Sequence, residues 1–337
     1  MSVLQQSIHS GFGAASTAAE VSKDLDLSGK FAVVTGGYAG IGLETTRALH
    51  AAGAKIIVPA RDIGKAGQAL AGLQGVEIRP MDLMEPASVD AFAANLLASG
   101  QPVHMLVNSA GIMACPLERD ARGYESQFAT NHLGHFQLAV RLWPALRRAN
   151  GARVVSVSSW GHRHSPVVMD DPNFERRDYD RWSAYGQSKT ANILFALALD
   201  QRGMADGIRA FALHPGGIVG TDLKRYLTDE ELRKAGVIDE DGNAILDPAR
   251  NLKTVQQGAA TSVWCATSPQ LAGMGGLYCE NCDVAPLLSP EMEARRNDEA
   301  TRRVGSFSLG VMPYAVDAEM AERLWSLSEQ LTGARIA

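Results

Sequence analysis

The chain has 337 residues, 46% apolar and 20% charged, with a net charge of −5 and no basic block. That composition suits a buried core, excludes a disordered chain and argues against nucleic acid as a partner. The N-terminus shows no basic-then-apolar signal pattern, the longest apolar helical run (191–199) is too short to span a bilayer, and four cysteines cannot frame a chain of this length. The expectation is a cytoplasmic protein without a membrane span.

Residues 1–28 are small and polar and read as a loose arm or a short surface helix. A regular alternation then begins. Phe31–Val34 is an apolar strand, followed by a helix over 41–52 that stops at Gly53. Lys55–Val58 is a second strand, ended by Pro59, which is awkward inside a sheet. A helix, the strand Val76–Ile78, a helix near 86–98 and the strand Val103–Val107 follow. One long helix spans about 123–149, then come a strand at Arg153–Val157, a helix over 183–202 and a strand at Ile208–Leu213. Strands alternating with helices predict a parallel sheet covered on both faces. The fold class is therefore α/β, a doubly wound Rossmann-like sheet. The expected organisation is a single dinucleotide-binding catalytic domain over 29–285, with extensions at 1–28 and 286–337.

Two segments, 160–182 and 222–252, are too long for ordinary connections and read as functional loops or lids. The second carries Leu223, Tyr226, Leu227 and Leu232 among charges, the pattern of a short amphipathic helix. It is expected to close over a substrate, with a plain surface excursion as the alternative. The tail from 286 is mixed and ends in an amphipathic helix over 316–331.

Gly36, Gly40 and Gly42 sit between the first strand and its helix, spaced G-x-x-x-G-x-G. Such glycines let the backbone turn sharply and let a pyrophosphate approach the helix N-terminus, where free N–H groups favour an anion. At the end of the second strand an acid would hold the ribose of NAD. Arg61 stands there and could fork onto a 2′-phosphate instead, favouring NADP. Asp62 is either the ribose acid, which leaves NAD open, or the N-cap of the next helix.

Tyr185 and Lys189 lie four apart on one helical face. An ammonium beside a phenol, with the charge of an oxidised nicotinamide, would lower the phenol's pKa into a working range. Ser158-Ser159 ends the fifth strand, where ligands bind in open α/β sheets. A Tyr-x-x-x-Lys also arises by chance on solvated helices, and Ser-Ser also marks a plain strand-to-loop transition. Cys279 and Cys282 form a lone C-x-x-C with no second pair, and read as ordinary thiols. His132 and His135 read as packing or hydrogen-bonding residues, so no metal is expected.

The run Thr35-Gly-Gly-Tyr-Ala-Gly-Ile-Gly42, Met81-Asp82-Leu83, Asn108-Ser-Ala-Gly111, Asn131, Val157-Ser-Ser159, Tyr185-x-x-x-Lys189 and His214-Pro-Gly216 resembles the short-chain dehydrogenase/reductase family, in family order over about 29–285. The wording Ser183-Ala-Tyr-Gly-Gln-Ser-Lys-Thr-Ala-Asn-Ile-Leu-Phe195 resembles its retinol-dehydrogenase-like branch. By that resemblance Ser159 positions a carbonyl, Tyr185 is the general acid/base, Lys189 tunes it and holds the nicotinamide ribose, and Asn131 holds a water in the proton relay. Gly36, Tyr38, Gly40, Ile41, Gly42 and Arg61 would bind the cofactor's phosphates and ribose, and Asp82 and Leu83 its adenine. Asn108, Ala110 and Gly111 would line it, and Pro215, Gly216 and Thr221 would pass the nicotinamide. Tyr38 and Ser109 depart from the family's usual asparagine or serine and asparagine, and Thr221 comes one residue late.

The resemblance implies an NADP-dependent enzyme interconverting a lipophilic alcohol and a carbonyl compound. A non-catalytic cofactor-binding regulator on the same fold, and an enone C=C reductase, are the alternatives. The expected partner is the small-molecule alcohol or carbonyl substrate, and a homodimer is left open.

Overall fold

The computed structural model describes residues 5–289 and 309–336. Its frame is an eight-stranded sheet. Chain order runs from helix α1 (Ala18–Ser22) to β1 (Phe31–Thr35), α2 (Gly40–Ala51), β2 (Lys55–Ala60), α3 (Ile63–Leu70), β3 (Val76–Pro80), α4 (Pro86–Ala98) and β4 (Met105–Asn108). An interrupted helix follows, made of α5 (Ser126–Phe128), a π turn at Ala129–Leu133, α6 (Gly134–Arg141) and α7 (Trp143–Arg148). Then come β5 (Ala152–Val157), α8 (Arg181–Gly203), β6 (Ile208–His214), α9 (Asp229–Lys234), α10 (Val255–Thr267), β7 (Leu277–Glu280), β8 (Asp283–Val284) and α11 (Ala318–Thr332). The spatial order is β3-β2-β1-β4-β5-β6-β7-β8, parallel except for β8. This is the doubly wound arrangement that the alternation predicts.

Side chains along a strand alternate between the two faces. Val33, Ile57, Leu106 and Val154 pack under α4, α6, α7 and α8, whereas Val34, Ile56, Val107 and Val155 face α1, α2 and α10. Both faces are covered, so the strands need apolar residues at every position, as the Phe-Ala-Val-Val run of β1 shows. On the first face Trp325 of α11 stacks on Phe195 and meets Phe136 edge-on at 4.9 Å, which docks the C-terminal helix on α8.

Four expectations change. β2 continues through Pro59 to Ala60. The Ala60 carbonyl accepts from Met81 N on the β3 side, so Pro59 points toward β1, whose pairing with β2 ends at Ile57. The missing N–H there removes no ladder bond. The single helix over 123–149 begins at Ser126 and is broken by the π turn and again at Leu142. Of the N-terminal arm, the part described from residue 5 carries the short helix α1, but that helix is packed in rather than lying on the surface: Ala18 and Val21 are buried in the core cluster of α10. The segment 222–252 is not one amphipathic helix, because Thr228 and Glu231 form a capping box that starts α9 only at Asp229. Leu227 and Leu232 instead join Val237, Ile238 and Leu252 in a small satellite core. Much of the mixed tail from 286 lies outside the described residues.

Candidate active site

A cleft of about 1140 Å³ opens over the C-terminal ends of β1, β2, β4, β5 and β6. Its floor at one end is the β1–α2 turn. A Cβ on Gly42 would stand 2.3 Å from the Gly36 carbonyl oxygen, and one on Gly36, at φ +66°, would stand 3.0 Å from Ala110 Cα. Only glycine allows α2 to start this close to the strand. Ala39 caps α2 without a side-chain acceptor, so the first-turn N–H groups are left to whatever enters the cleft. Gly36, Tyr38, Gly40, Ile41 and Gly42 all line it.

Thr35, which the motif contained but no role singled out, ties this turn to the next strand. Its hydroxyl oxygen accepts from Ser109 N (2.9 Å) and Ala110 N (3.1 Å) and stands 2.9 Å from His135 Nε2. His135 Nδ1 is 3.0 Å from the Asn131 carbonyl, which can only accept. The ring is therefore the Nδ1–H tautomer and Thr35 donates to Nε2. Burial pushes the pKa of His135 down to about 4, so it stays neutral. His132 is likewise buried, pushed down to about 3, and bonded to Ser328. Both histidines serve structure, and among the described residues no group of side chains could hold a metal.

Arg61 is exposed at the cleft's edge beside Asp62 and Lys65. Asp62 accepts from Lys65 N at 2.9 Å through one carboxylate oxygen and is the N-cap of α3. Lys65 reaches across to Asp222 at 2.8 Å. Asp82 and Leu83 line the wall next to this end, and Asp82 is braced by Met84 N. Ala110 and Gly111 line the middle, as do Pro215, Gly216 and Thr221. Asn108 does not reach the cleft. It is buried at the end of β4, and its side-chain amide has no hydrogen-bond partner. Its register against Thr35 places it in the sheet, with the following residues forming the wall.

Tyr185 and Lys189 project from α8 into the cleft, with the ammonium 5.6 Å from the phenol ring centroid. Lys189 Nζ donates to the Val157 carbonyl at 3.0 Å. Burial pushes the Lys189 pKa down to about 8 and that of Tyr185 up to about 12, with the Ser159 hydroxyl alone pulling the tyrosine back. The chain by itself therefore does not hold the phenol at a lowered pKa, and the expected lowering invokes the nicotinamide charge beside the ammonium. Of the Ser158-Ser159 pair, Ser158 spends its proton on the Lys189 carbonyl, 2.7 Å away. Ser159 Oγ accepts from Gly161 N at 3.0 Å, which leaves its O–H to donate. Asn131 lies in the π turn and is wholly buried. Its Nδ2 donates to Ile112 O and Ser188 Oγ, and its Oδ1 accepts from Ile112 N, all at 2.9 Å. Its side chain fixes the turn after Gly111 and does not itself line the cleft.

The far end of the cleft carries an aromatic and aliphatic wall, Trp160, Trp182, Ile218, Val219, Leu223 and Leu227, alongside polar residues such as His164, Asp180 and Lys224. Tyr226 is not part of this wall; Arg225 stacks over its ring at 5.1 Å. Arg181, at the start of α8, forms an ion pair with Glu231 and donates to the Tyr226 carbonyl at 3.2 Å, so it ties the 222–252 segment to α8.

A glycine-built anion cradle and a Ser/Tyr/Lys cluster at the carboxyl edge of a doubly wound sheet define a dinucleotide-dependent class of protein. Comparison with known proteins narrows the class. A model of the short chain dehydrogenase family matches residues 30–232. A Streptomyces lividans protein named "Probable oxidoreductase" is 45% identical, covering 89% of this chain and 97% of its own. "Retinol dehydrogenase 12" of Homo sapiens is 33% identical, covering 93% and 89%. The crystal structure of an uncharacterized protein from Mycobacterium paratuberculosis superposes with a TM-score of 0.69 at 31% identity, covering 94% of this chain and 98% of its own. The chain belongs to the short-chain dehydrogenase/reductase family of oxidoreductases, and it is retinol-dehydrogenase-like.

Proposed function

We propose that the protein interconverts a lipophilic alcohol and the corresponding aldehyde or ketone, using NADP(H). The observation that carries this reading is the convergence of Ser159, Tyr185 and Lys189 beside an uncapped, glycine-walled helix N-terminus in one cleft. The residues present fit a nicotinamide dinucleotide. The first turn of α2 would take the pyrophosphate, Arg61 the 2′-phosphate, Asp82 and Leu83 the adenine, and Ala110, Gly111, Lys189, Pro215, Gly216 and Thr221 the nicotinamide riboside. The exposed Arg61 has no acidic neighbour at Ala60, and Asp62 is occupied as a cap, which supports NADP over NAD. When bound, this cofactor supplies the acceptor or donor of the hydride.

The chain's own residues then manage the proton and the geometry. Ser159 donates to the substrate oxygen. In oxidation the Tyr185 phenolate takes the hydroxyl proton, and in reduction the phenol returns it. A phenol at about 12 is too weak an acid for this at neutral pH, and the Lys189 ammonium together with a cationic nicotinamide is what would bring it down. Asn131 is a positioning residue that holds Ile112 and Ser188 on either side of the site. The apolar wall from Trp160 to Leu227 supports a lipophilic substrate, and the 222–252 segment acts as a lid.

The test is a screen of lipophilic alcohols, aldehydes and enones, following reduced-cofactor absorbance with NADP(H) and NAD(H) in parallel and identifying products by mass and carbonyl absorption. Tyr185→Phe should fold and bind cofactor but lose about 10²–10⁴-fold in turnover. Retention of more than about a tenth of the wild-type rate would remove Tyr185 from this role. A saturated product that keeps its carbonyl would move the reading to C=C reduction.

A further inference from the structure

The C-terminal segment from Gly310 to Tyr314 lies outside the part matched by the family model, yet it is bonded to the turn that presents Ser159. Ser159 opens a 3₁₀ turn, Trp160–His164, and its main-chain carbonyl is held by the ring of His162, with Nδ1 at 2.7 Å. A carbonyl only accepts, so Nδ1 carries the proton and Nε2 is an acceptor. That acceptor receives the Met312 N–H at 3.2 Å. The His162 carbonyl receives the Tyr314 hydroxyl at 2.8 Å, and the Arg163 guanidinium donates to the Gly310 carbonyl at 2.8 Å.

The segment is itself anchored. Gly310 N donates to Glu280 Oε2 at 2.9 Å, Tyr278 OH to Glu280 Oε1 at 3.0 Å, and Val311 bridges to Leu287. Gly310, at φ +123°, has Leu288 Cδ2 only 2.8 Å from where a Cβ would stand. Behind this, Gly161 leaves no space for a side chain, because a Cβ would meet Tyr185 Cε1 at 2.8 Å. The turn is therefore gripped on one side by Tyr185 and on the other by the C-terminal segment.

We propose that residues 310–314 are a positioning element of the active site: through the neutral ring of His162 they set the main chain of Ser159, and with it where the Ser159 hydroxyl stands relative to Tyr185. The proposal rests on the reading of Ser159 as the hydroxyl that holds the substrate oxygen. His162 and Tyr314 are positioning residues and touch no substrate. The buried ring has its pKa pushed down to about 3, so it keeps this one tautomer across the working pH range.

Met312 offers a clean test. Its φ of −67° already suits proline, and Val311 before it is in a β-bridge, so Met312→Pro deletes the one N–H that reaches His162 without straining the backbone. Met312→Ala removes the side chain and keeps that N–H. We expect Met312→Pro to lower kcat about tenfold relative to Met312→Ala, the cost of a sub-ångström displacement of Ser159. Its NADPH affinity, read by fluorescence titration, should match that of Met312→Ala. The Ser159 hydroxyl lowers the Tyr185 pKa, so its displacement should also move the acidic limb of the oxidation pH profile, where the phenolate is lost by protonation, to higher pH. In a Ser159→Ala background the proline should have no further effect. Equal kcat and equal pH limbs for the proline and alanine variants, with Ser159→Ala strongly impaired, would overturn the positioning role and leave the reading of Ser159 intact. Wild-type turnover in Ser159→Ala would overturn both. Should Met312→Pro lose its cooperative thermal transition, Tyr314→Phe carries the same test. We expect it to lower kcat about threefold, the worth of one neutral hydrogen bond, in the wild-type background only. An equal loss in the Ser159→Ala background would overturn the proposal.

Discussion

The two ends of the cleft are held by different forces. At the cradle end the backbone of α2 touches that of β1 with no room for a methyl group, and Thr35 bonds the neighbouring turn through two N–H groups. At the substrate end the 222–252 segment is held by a satellite core of a few apolar side chains and by ion pairs such as Lys65–Asp222 and Arg181–Glu231, in which all four side chains are a third or more exposed. Exposed pairs of this kind are screened by water and contribute little. The cradle should therefore tolerate little change, whereas the 222–252 segment is held weakly enough to vary at small cost, which is the division expected if one ligand is constant and the other selects the enzyme.

The sharpest way to break this contrast is Gly42→Ala. The new methyl would force α2 off the Gly36 carbonyl. About 1–3 kcal/mol of stability should be lost, and NADPH affinity should fall about a hundredfold or more as the cradle shifts. Calorimetric titration with a thermal melt would show it, and unchanged affinity would mean that the turn is not the phosphate site. Arg61→Ala should act next, raising the KM for NADP(H) about 10–100-fold, the worth of a charge-assisted contact, with NAD(H) little changed. Equal effects on both cofactors would contradict the 2′-phosphate role. Leu227→Ala should be mildest, changing KM about three- to tenfold across a series of substrates of increasing chain length, with cofactor affinity intact. Tyr226→Ala, outside the wall, should leave that series flat. If both variants gave the same profile, the lid would not be selecting the substrate.

The same contrast governs what could be read from the sequence. The cradle and the Tyr185–Lys189 pair are local patterns, since their chemistry depends on residues a few positions apart, and they fall in the cleft where the spacing placed them. Elements set by distant contacts were less legible. Helix α10 packs against α1 and α2, and the small residues among its thirteen (Gly258, Ala259, Ala260, Thr261, Ser262, Ala266 and Thr267) blur any amphipathic stripe in the sequence. The π turn around Asn131 is followed by Gly134, which packs so close to the Leu83 carbonyl that a Cβ would stand 2.5 Å from it, a contact between residues far apart in the chain. Asn108 was placed in the cleft by motif alone, but a strand end alternates and its side chain falls into the sheet. Trp160, Lys65 and His162 carried no signal of their own; only the turn and loops that fold back over the site give them a part in it.

Both borders of the sheet are closed to company. On one, β3 ends at Pro80 and carries Glu77 and Arg79 as a charged pair 2.8 Å apart. On the other, β8 runs backwards for two residues, and the N-terminal arm finishes the job: Gln5 bonds the backbone of Tyr278 and Ala285, while Ser7 and Ile8 bond the Asp283 carboxylate. Charges and a proline on one edge strand, and a short reversed strand with a bonded arm on the other, discourage edge-to-edge pairing of the sheet. Cutting the arm before Ser7 would remove the Gln5 bonds and bare the main chain of Tyr278 and Ala285 at that border, which should show as increased association in size-exclusion chromatography.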